Sequence, residues 1–212
     1  MTFAAGAGMI APMTLLILGL VLFLGIHSAR IVAEAARAHF IARHGLGAWK
    51  GLYSLISIAG FVLLCVGFGQ ARQQAVVLWS PPRWTHDVAA LLTLVAFVLV
   101  VAAYVPGNGL KARLKDPMIL GVKSWALGHL LANGTLADVV LFGSFLAWAV
   151  LDFRAARQRR RAGAEPPVAP VKRGRGAIVV VVGALAWMLF AFHLHQPLIG
   201  VAPFPGFHGF GH

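Results

Sequence analysis

The sequence is poor in cysteine and in charge. It has one cysteine, Cys65, and six acidic residues among 212. A single cysteine excludes an internal disulfide and a cysteine-based metal cluster, and its apolar neighbours favour an inert thiol in the core. Charged residues make up 11% of the chain, roughly half the share found in an average soluble domain. This composition excludes an ordinary soluble domain.

Apolar residues dominate what is present. They account for 59% of the chain, and the mean hydropathy is +0.82. We therefore predict an all-α fold, a polytopic transmembrane helical bundle. The net charge of +12 is expected to mark loops facing anionic lipid, because basic residues collect on the cytoplasmic side of membrane proteins. The expected partner is the lipid bilayer and not nucleic acid.

Apolar runs of about 20 residues predict membrane-spanning helices. The first, second, third and last predicted spans are residues 12–33, 49–70, 86–104 and 177–195. The polar segment between the first two, which contains His39 and His44 and ends in glycines, is predicted to be a loop.

The region 118–148 is too long for one untilted span and short for two. Asn133-Gly134 near its middle is a turn signal and favours helices at about 117–132 and 136–151. With that break, 15 of the 18 basic residues fall on one side of the membrane and two on the other, and Lys123 lies within a predicted helix. This distribution is the one that the positive-inside rule favours. We predict six crossings of a bacterial inner membrane with both termini periplasmic, and five as the alternative.

This topology divides the chain into two parts. Residues 1–196 are predicted to form the transmembrane domain, with a basic cytoplasmic loop at 152–176. Residues 197–212, rich in Gly, Pro and Phe, are predicted to form an irregular periplasmic tail.

Two of the nine histidines, His27 and His129, fall well inside predicted spans. From the helical rise they lie about 15 and 18 Å from the cytoplasmic face, so both could reach one metal centre. Zinc usually takes three or four protein ligands, whereas haem iron needs two axial ones. No Cys-x-x-Cys-His is present, so the haem would be haem b. The alternative is that each histidine only hydrogen-bonds a neighbouring helix.

The residues around His129 are polar for a membrane segment. Trp125, His129 and Asn133 are spaced at i, i+4 and i+8, so they share one helix face, and such a face normally points inward. We expect Trp125 and Asn133 to contribute to the same cofactor site.

Two cations are candidates for binding haem propionates. Arg30 lies one turn from His27, and its alternative partner is Glu34 at i+4. Lys123 lies on the helix of His129, and the alternative is that its side chain extends to the membrane interface.

Three elements of the sequence resemble the NnrU family. They are the LGIHS run at 24–28 followed by Arg30, the KSWALGHLLANG run at 123–134, and the LFGSFLAWA run at 141–149. The resemblance covers about residues 13–195. It implies a relation to the 15-cis-zeta-carotene isomerase, a haem b protein with two histidine ligands, and by motif these are His27 and His129. Where relatives often carry a histidine before the fourth helix, this chain has Asp116-Pro117.

The resemblance implies redox chemistry linked to nitrogen-oxide metabolism and denitrification, with an electron-transfer partner, or redox-gated cis–trans isomerisation of a lipophilic polyene substrate. Two alternatives stay open. One is a membrane S-adenosylmethionine-dependent methyltransferase, to which Asn108, Lys111 and Arg113 could contribute a polar pocket. The other is a non-enzymatic denitrification accessory or assembly protein. The sequence does not decide whether the protein is an enzyme.

Overall fold

Helices account for 82% of the residues that the structure describes. A computed structural model describes residues 3–164 and 169–204. The helices in this part of the chain are α1 Phe3–His27, α2 Ala29–Val32, α3 Glu34–Gln73, α4 Trp84–Tyr104, α5 Gly109–Leu114, α6 Pro117–Ala132, α7 Leu136–Arg161, α8 Arg175–Leu189, a π-helical turn Phe190–Leu194, and α9 His195–Ile199. The predicted all-α class is confirmed.

The prediction of a polar loop after the first span is wrong. These residues form the beginning of α3, which is 40 residues long and bends at Gly45 (φ 83°, ψ 159°). Glycine adopts positive φ without steric cost, so the chain changes direction here and the helix resumes. His39 and His44 are therefore exposed helical residues. The first helix also ends earlier than predicted, at His27.

The break at Asn133-Gly134 is confirmed, and it separates α6 from α7. The basic loop predicted from residue 152 begins later, because α7 continues to Arg161. Its last turn contains Arg159, Arg160 and Arg161, and cations at a helix C-terminus interact favourably with the helix dipole. The charge that marks the loop in the sequence thus also stabilises the end of the helix.

Four helical segments in the described part of the chain are long and apolar enough to cross a membrane: Glu34–Gln73, Trp84–Tyr104, Leu136–Arg161 and Arg175–Ile199. A shorter apolar helix covers Ala11–His27. The 16 residues of α6 extend about 24 Å, somewhat less than a hydrocarbon core of about 30 Å. The chain is a helical membrane protein, and the count of six crossings stays a prediction.

Many large apolar side chains point outwards, and glycine and alanine are prominent among the buried residues. On α3, Leu55 is 68% exposed and Ile58 is 63% exposed, whereas Gly60 and Gly67 are buried. Lipid solvates apolar side chains, so helices in a membrane associate through close contact of small residues. Cys65, predicted to be a core residue, is exposed on the same helix, for the same reason.

The chain divides into two compact units. The first comprises Met1–Trp79 and Gly134–Asp152, and the second comprises Ser80–Asn133 and Phe153–His212. Helices α1 and α3 pack closely in the first unit because three glycines lie where they cross. A Cβ atom on Gly60 would lie 2.7 Å from the backbone nitrogen of Phe23, and one on Gly19 or Gly67 would overlap the facing backbone.

A glycine also allows two backbone segments of the first unit to make close contact just before α7. The carbonyl of Gly134 accepts hydrogen bonds from the backbone N–H groups of Leu78 (2.8 Å) and Trp79 (3.2 Å), and Val77 and Thr135 form an isolated antiparallel bridge. A Cβ on Gly134 would overlap the Trp79 carbonyl. The glycine of the Asn-Gly signal is therefore required by this close backbone pairing.

In the second unit, α4 packs against α6 and α8. Ser124 Oγ on α6 donates to the Leu92 carbonyl at 2.7 Å. Trp187 Nε1 on α8 donates to Thr93 Oγ1 at 3.0 Å. These two bonds satisfy polar side chains that would otherwise face hydrocarbon, and they fix the register of both helices on α4.

Candidate functional site

His27 is the last residue of α1, in the first unit, and is half-buried. Its Nδ1 lies 2.6 Å from the carbonyl oxygen of Phe23, one turn earlier in the same helix. A carbonyl only accepts hydrogen bonds, so Nδ1 carries the proton in neutral imidazole and Nε2 keeps its lone pair. The local geometry therefore prepares Nε2 of His27 as a ligand.

Three aromatic rings surround His27, and together with it they form what we term the His27 cluster. Phe23 stacks on the imidazole with a centroid distance of 4.2 Å, Tyr53 lies at 5.1 Å, and Trp148 meets it edge-on at 6.1 Å. Trp148 Nε1 is buried and has no hydrogen-bond partner among the residues that the structure describes. The cluster thus combines flat apolar surfaces with an unsatisfied donor.

Sequence reasoning missed Tyr53 and Trp148 as members of a site. Trp148 belongs to the LFGSFLAWA run, so the resemblance to NnrU contained a signal for it. Tyr53 is one of two tyrosines in the chain, but its proximity to His27 depends on how α3 packs on α1, which no sequence pattern encodes.

His129 lies in the last turn of α6, in the second unit, and repeats the geometry of His27. Its Nδ1 lies 2.9 Å from the carbonyl oxygen of Trp125, and the two rings are 5.2 Å apart. Asn133 ends the helix, and its Nδ2 donates to the His129 carbonyl at 2.9 Å. Trp125 and His129 thus lie one turn apart on α6, whereas Asn133 follows the helix with an extended backbone (φ −129°, ψ 142°), and the contribution of the three residues to a cofactor site stays a prediction. The proton on Nδ1 of His129 again leaves the lone pair on Nε2.

The two cations predicted to bind propionates have contacts within the chain. Arg30 Nε lies 3.8 Å from Glu34 Oε2, with both side chains about half exposed. Lys123 Nζ lies 3.9 Å from the centroid of the Phe153 ring. These contacts are compatible with an additional anionic partner, and a role in propionate binding stays a prediction for both residues.

The other histidines differ in exposure and in their contacts. His86 is half-buried near the start of α4, and His193 is exposed. His195 Nδ1 lies 2.7 Å from the Val201 carbonyl. His208 and His212 lie outside the described residues. Among residues 3–164 and 169–204, no group of three or more His, Cys, Asp or Glu side chains forms a metal site; haem iron needs only two protein ligands.

Asn108, which the sequence offers for a polar cofactor pocket, binds the backbone of its own chain. It is 1% exposed, and its Nδ2 donates to the Ala102 carbonyl at 2.8 Å and to that of Val105. Its Oδ1 accepts from the N–H of Lys111 at 2.8 Å, and Lys111 Nζ donates to the Ala103 carbonyl at 2.6 Å. These bonds hold the start of α5 against the end of α4.

The fold and the site define a class. This is a helical membrane protein with two half-buried histidines, each oriented by its own helix so that Nε2 can act as a ligand. The chain belongs to the NnrU family: the family model described as NnrU protein matches residues 15–203. No match was found among curated proteins or among solved structures.

Proposed function

We propose that this protein binds haem b and that His27 and His129 are the axial ligands. The observation that carries the proposal is the shared hydrogen bond from Nδ1 to the carbonyl four residues earlier, at 2.6 Å in His27 and 2.9 Å in His129. Histidines that bind metals usually donate their second ring N–H in this way, which fixes the tautomer and raises the basicity of the ligating nitrogen.

The two histidines and the His27 cluster have the chemistry that a bound haem requires. Two neutral imidazoles complete the coordination of an iron that already has four porphyrin nitrogens. The rings of the His27 cluster offer flat apolar contact to a macrocycle. Leaving a buried donor unpaired costs about 1–3 kcal/mol, and an acceptor on a bound molecule would remove this cost at Trp148 Nε1.

When bound, haem b supplies an iron that accepts and releases one electron. The protein contributes the two ligands, the hydrogen bonds that orient them, and an apolar environment that adjusts the reduction potential. We propose that the protein acts in redox chemistry within the membrane. The resemblance noted above supports two substrate classes, nitrogen-oxide metabolites through an electron-transfer partner, or a lipophilic polyene.

The proposed topology has six crossings of a bacterial inner membrane and periplasmic termini. It is supported by the distribution of basic residues, 15 on one side and two on the other, and by the rule that cytoplasmic loops carry the excess. Cysteine-accessibility labelling of substitutions placed in successive loops tests it. Labelling of the 152–176 region from the periplasmic side would contradict it.

Haem content tests the proposed function. We expect the purified full-length protein to contain one haem b per chain by pyridine haemochrome analysis. The substitutions His27→Ala and His129→Ala should each lower this content strongly. The exposed residues His39 and His44 provide matched controls, because His39→Ala and His44→Ala should retain it. Absence of haem from the wild type, or full retention in both ligand variants, would overturn the proposal.

A further inference from the structure

A basic cleft lies at the end of α7, away from both histidines in the sequence and wholly within the second unit. Its volume is about 420 Å³, and it is lined by Leu114, Lys115, Phe153, Arg157, Arg160 and Arg161. The cleft is shallow and largely open to solvent.

The cleft has a strong positive charge. Lys115, Arg157, Arg160 and Arg161 contribute four cations, and the only carboxylate paired with them in the described part of the chain is that of Asp116, which accepts a hydrogen bond from Arg160. The net charge is therefore +3. These cations repel one another, and an anion in the cleft would remove that repulsion.

The spacing of the arginines explains why they converge. Arg157, Arg160 and Arg161 occupy positions i, i+3 and i+4 of α7, so they share one face. Lys115 approaches from the end of α5, with a φ of 67°. The Phe153 ring also lines the cleft. Lys123 Nζ lies over the face of this ring, 3.9 Å from its centroid.

We propose that this cleft binds the phosphate group of an anionic phospholipid. A guanidinium group can donate two parallel hydrogen bonds to the oxygens of one phosphate, so a site with three arginines suits this ligand. Leu114 and Phe153 provide apolar contact for the part of a lipid next to its phosphate. The cleft adjoins the end of α7, one of the apolar helices of spanning length, and basic pockets at such helix ends bind acidic headgroups.

Lipid binding to the full-length protein in detergent tests the proposal, with native mass spectrometry as the readout. The probes are phosphatidylglycerol, phosphatidylcholine and inorganic phosphate. We expect phosphatidylglycerol to bind more tightly than phosphatidylcholine. The double variant Lys115→Gln/Arg157→Gln should bind phosphatidylglycerol about 25-fold more weakly, since each cation near an anionic lipid contributes about fivefold. The matched control is Arg113→Gln/Arg154→Gln, which removes two exposed cations from α5 and α7 that do not line the cleft.

A second variant changes binding in the opposite direction. Asp116→Asn removes the carboxylate that competes for Arg160, so phosphatidylglycerol should bind several-fold more tightly, a gain that misfolding cannot produce. Equal binding by the cleft variant and its control, or no gain with Asp116→Asn, would overturn the proposal. So would tight binding of inorganic phosphate without preference for phosphatidylglycerol, which would assign the cleft to a soluble anion.

Discussion

Replacing Gly67 with alanine places a methyl group where the backbone of Leu16 lies in the crossing of α1 and α3. Main-chain atoms cannot rotate aside as a side chain can, so the two helices must separate along their contact. Overpacking of this kind costs about 1–3 kcal/mol. The loss extends to the neighbouring contacts of Gly19 and Gly60, which depend on the same close approach.

Gly69 on the same helix provides the matched control, because a Cβ there meets nothing within 4 Å. Alanine is favoured over glycine inside a helix by about 1 kcal/mol, so Gly69→Ala should not lower stability. We expect Gly67→Ala to be less stable than Gly69→Ala by about 1–3 kcal/mol, the overpacking cost alone, because both substitutions lie inside α3 and gain the same helix propensity.

Unfolding by sodium dodecyl sulfate in mixed micelles, followed by circular dichroism, measures this difference. The midpoint of Gly67→Ala should fall at lower detergent fraction than those of the wild type and of Gly69→Ala. Coincident midpoints for the two variants would refute the argument that α1 and α3 are in backbone contact at Gly67.

Three further predictions concern other contacts. Gly134→Ala should lower the thermal midpoint in detergent far more than Gly143→Ala, because only at the first position does the added methyl overlap neighbouring backbone; equal midpoints would contradict this. A double-mutant cycle of Trp187→Phe and Thr93→Val should give a coupling free energy of about 0.6 kcal/mol, the average for hydrogen bonds between membrane helices, and strict additivity would show that the bond is absent. Trp148→Phe replaces the indole with a smaller aromatic ring and removes the unpaired N–H. Because losing an unpaired buried donor offsets the packing lost with the smaller ring, the haem-free protein should be about as stable as the wild type, while haem binds more weakly; a strongly destabilised haem-free variant would contradict the assignment.

The sequence predicts most helix positions here because apolar length and turn residues determine them. The end of α6 at Ala132 is a good example. Asn133 both ends the helix and bonds its last turn, and Gly134 allows backbone contact, so the two-residue signal reflects two separate physical requirements. Of the candidate site, the positions of the histidines within helices and the contact of Trp125 with His129 could be predicted from helical spacing.

The remaining features depend on tertiary packing. Gly45 and Gly47 resemble the end of a helix, yet only Gly45 leaves helical dihedral angles, because one flexible residue is enough to bend α3. The contact of Tyr53 with His27 exists because glycines bring α1 and α3 together. A pattern confined to one segment contains no information about which faces of two segments will meet.

The spin state of ferric haem tests the central claim most directly. Two histidine ligands produce a strong ligand field, so the oxidised wild type should give a low-spin six-coordinate electron paramagnetic resonance spectrum. Removing either ligand with His27→Ala or His129→Ala should convert residual haem to a high-spin form, whereas His44→Ala should leave the spectrum unchanged. A wild type that binds no haem, or a low-spin signal that persists in both ligand variants, would contradict the proposal that these two imidazoles hold the iron.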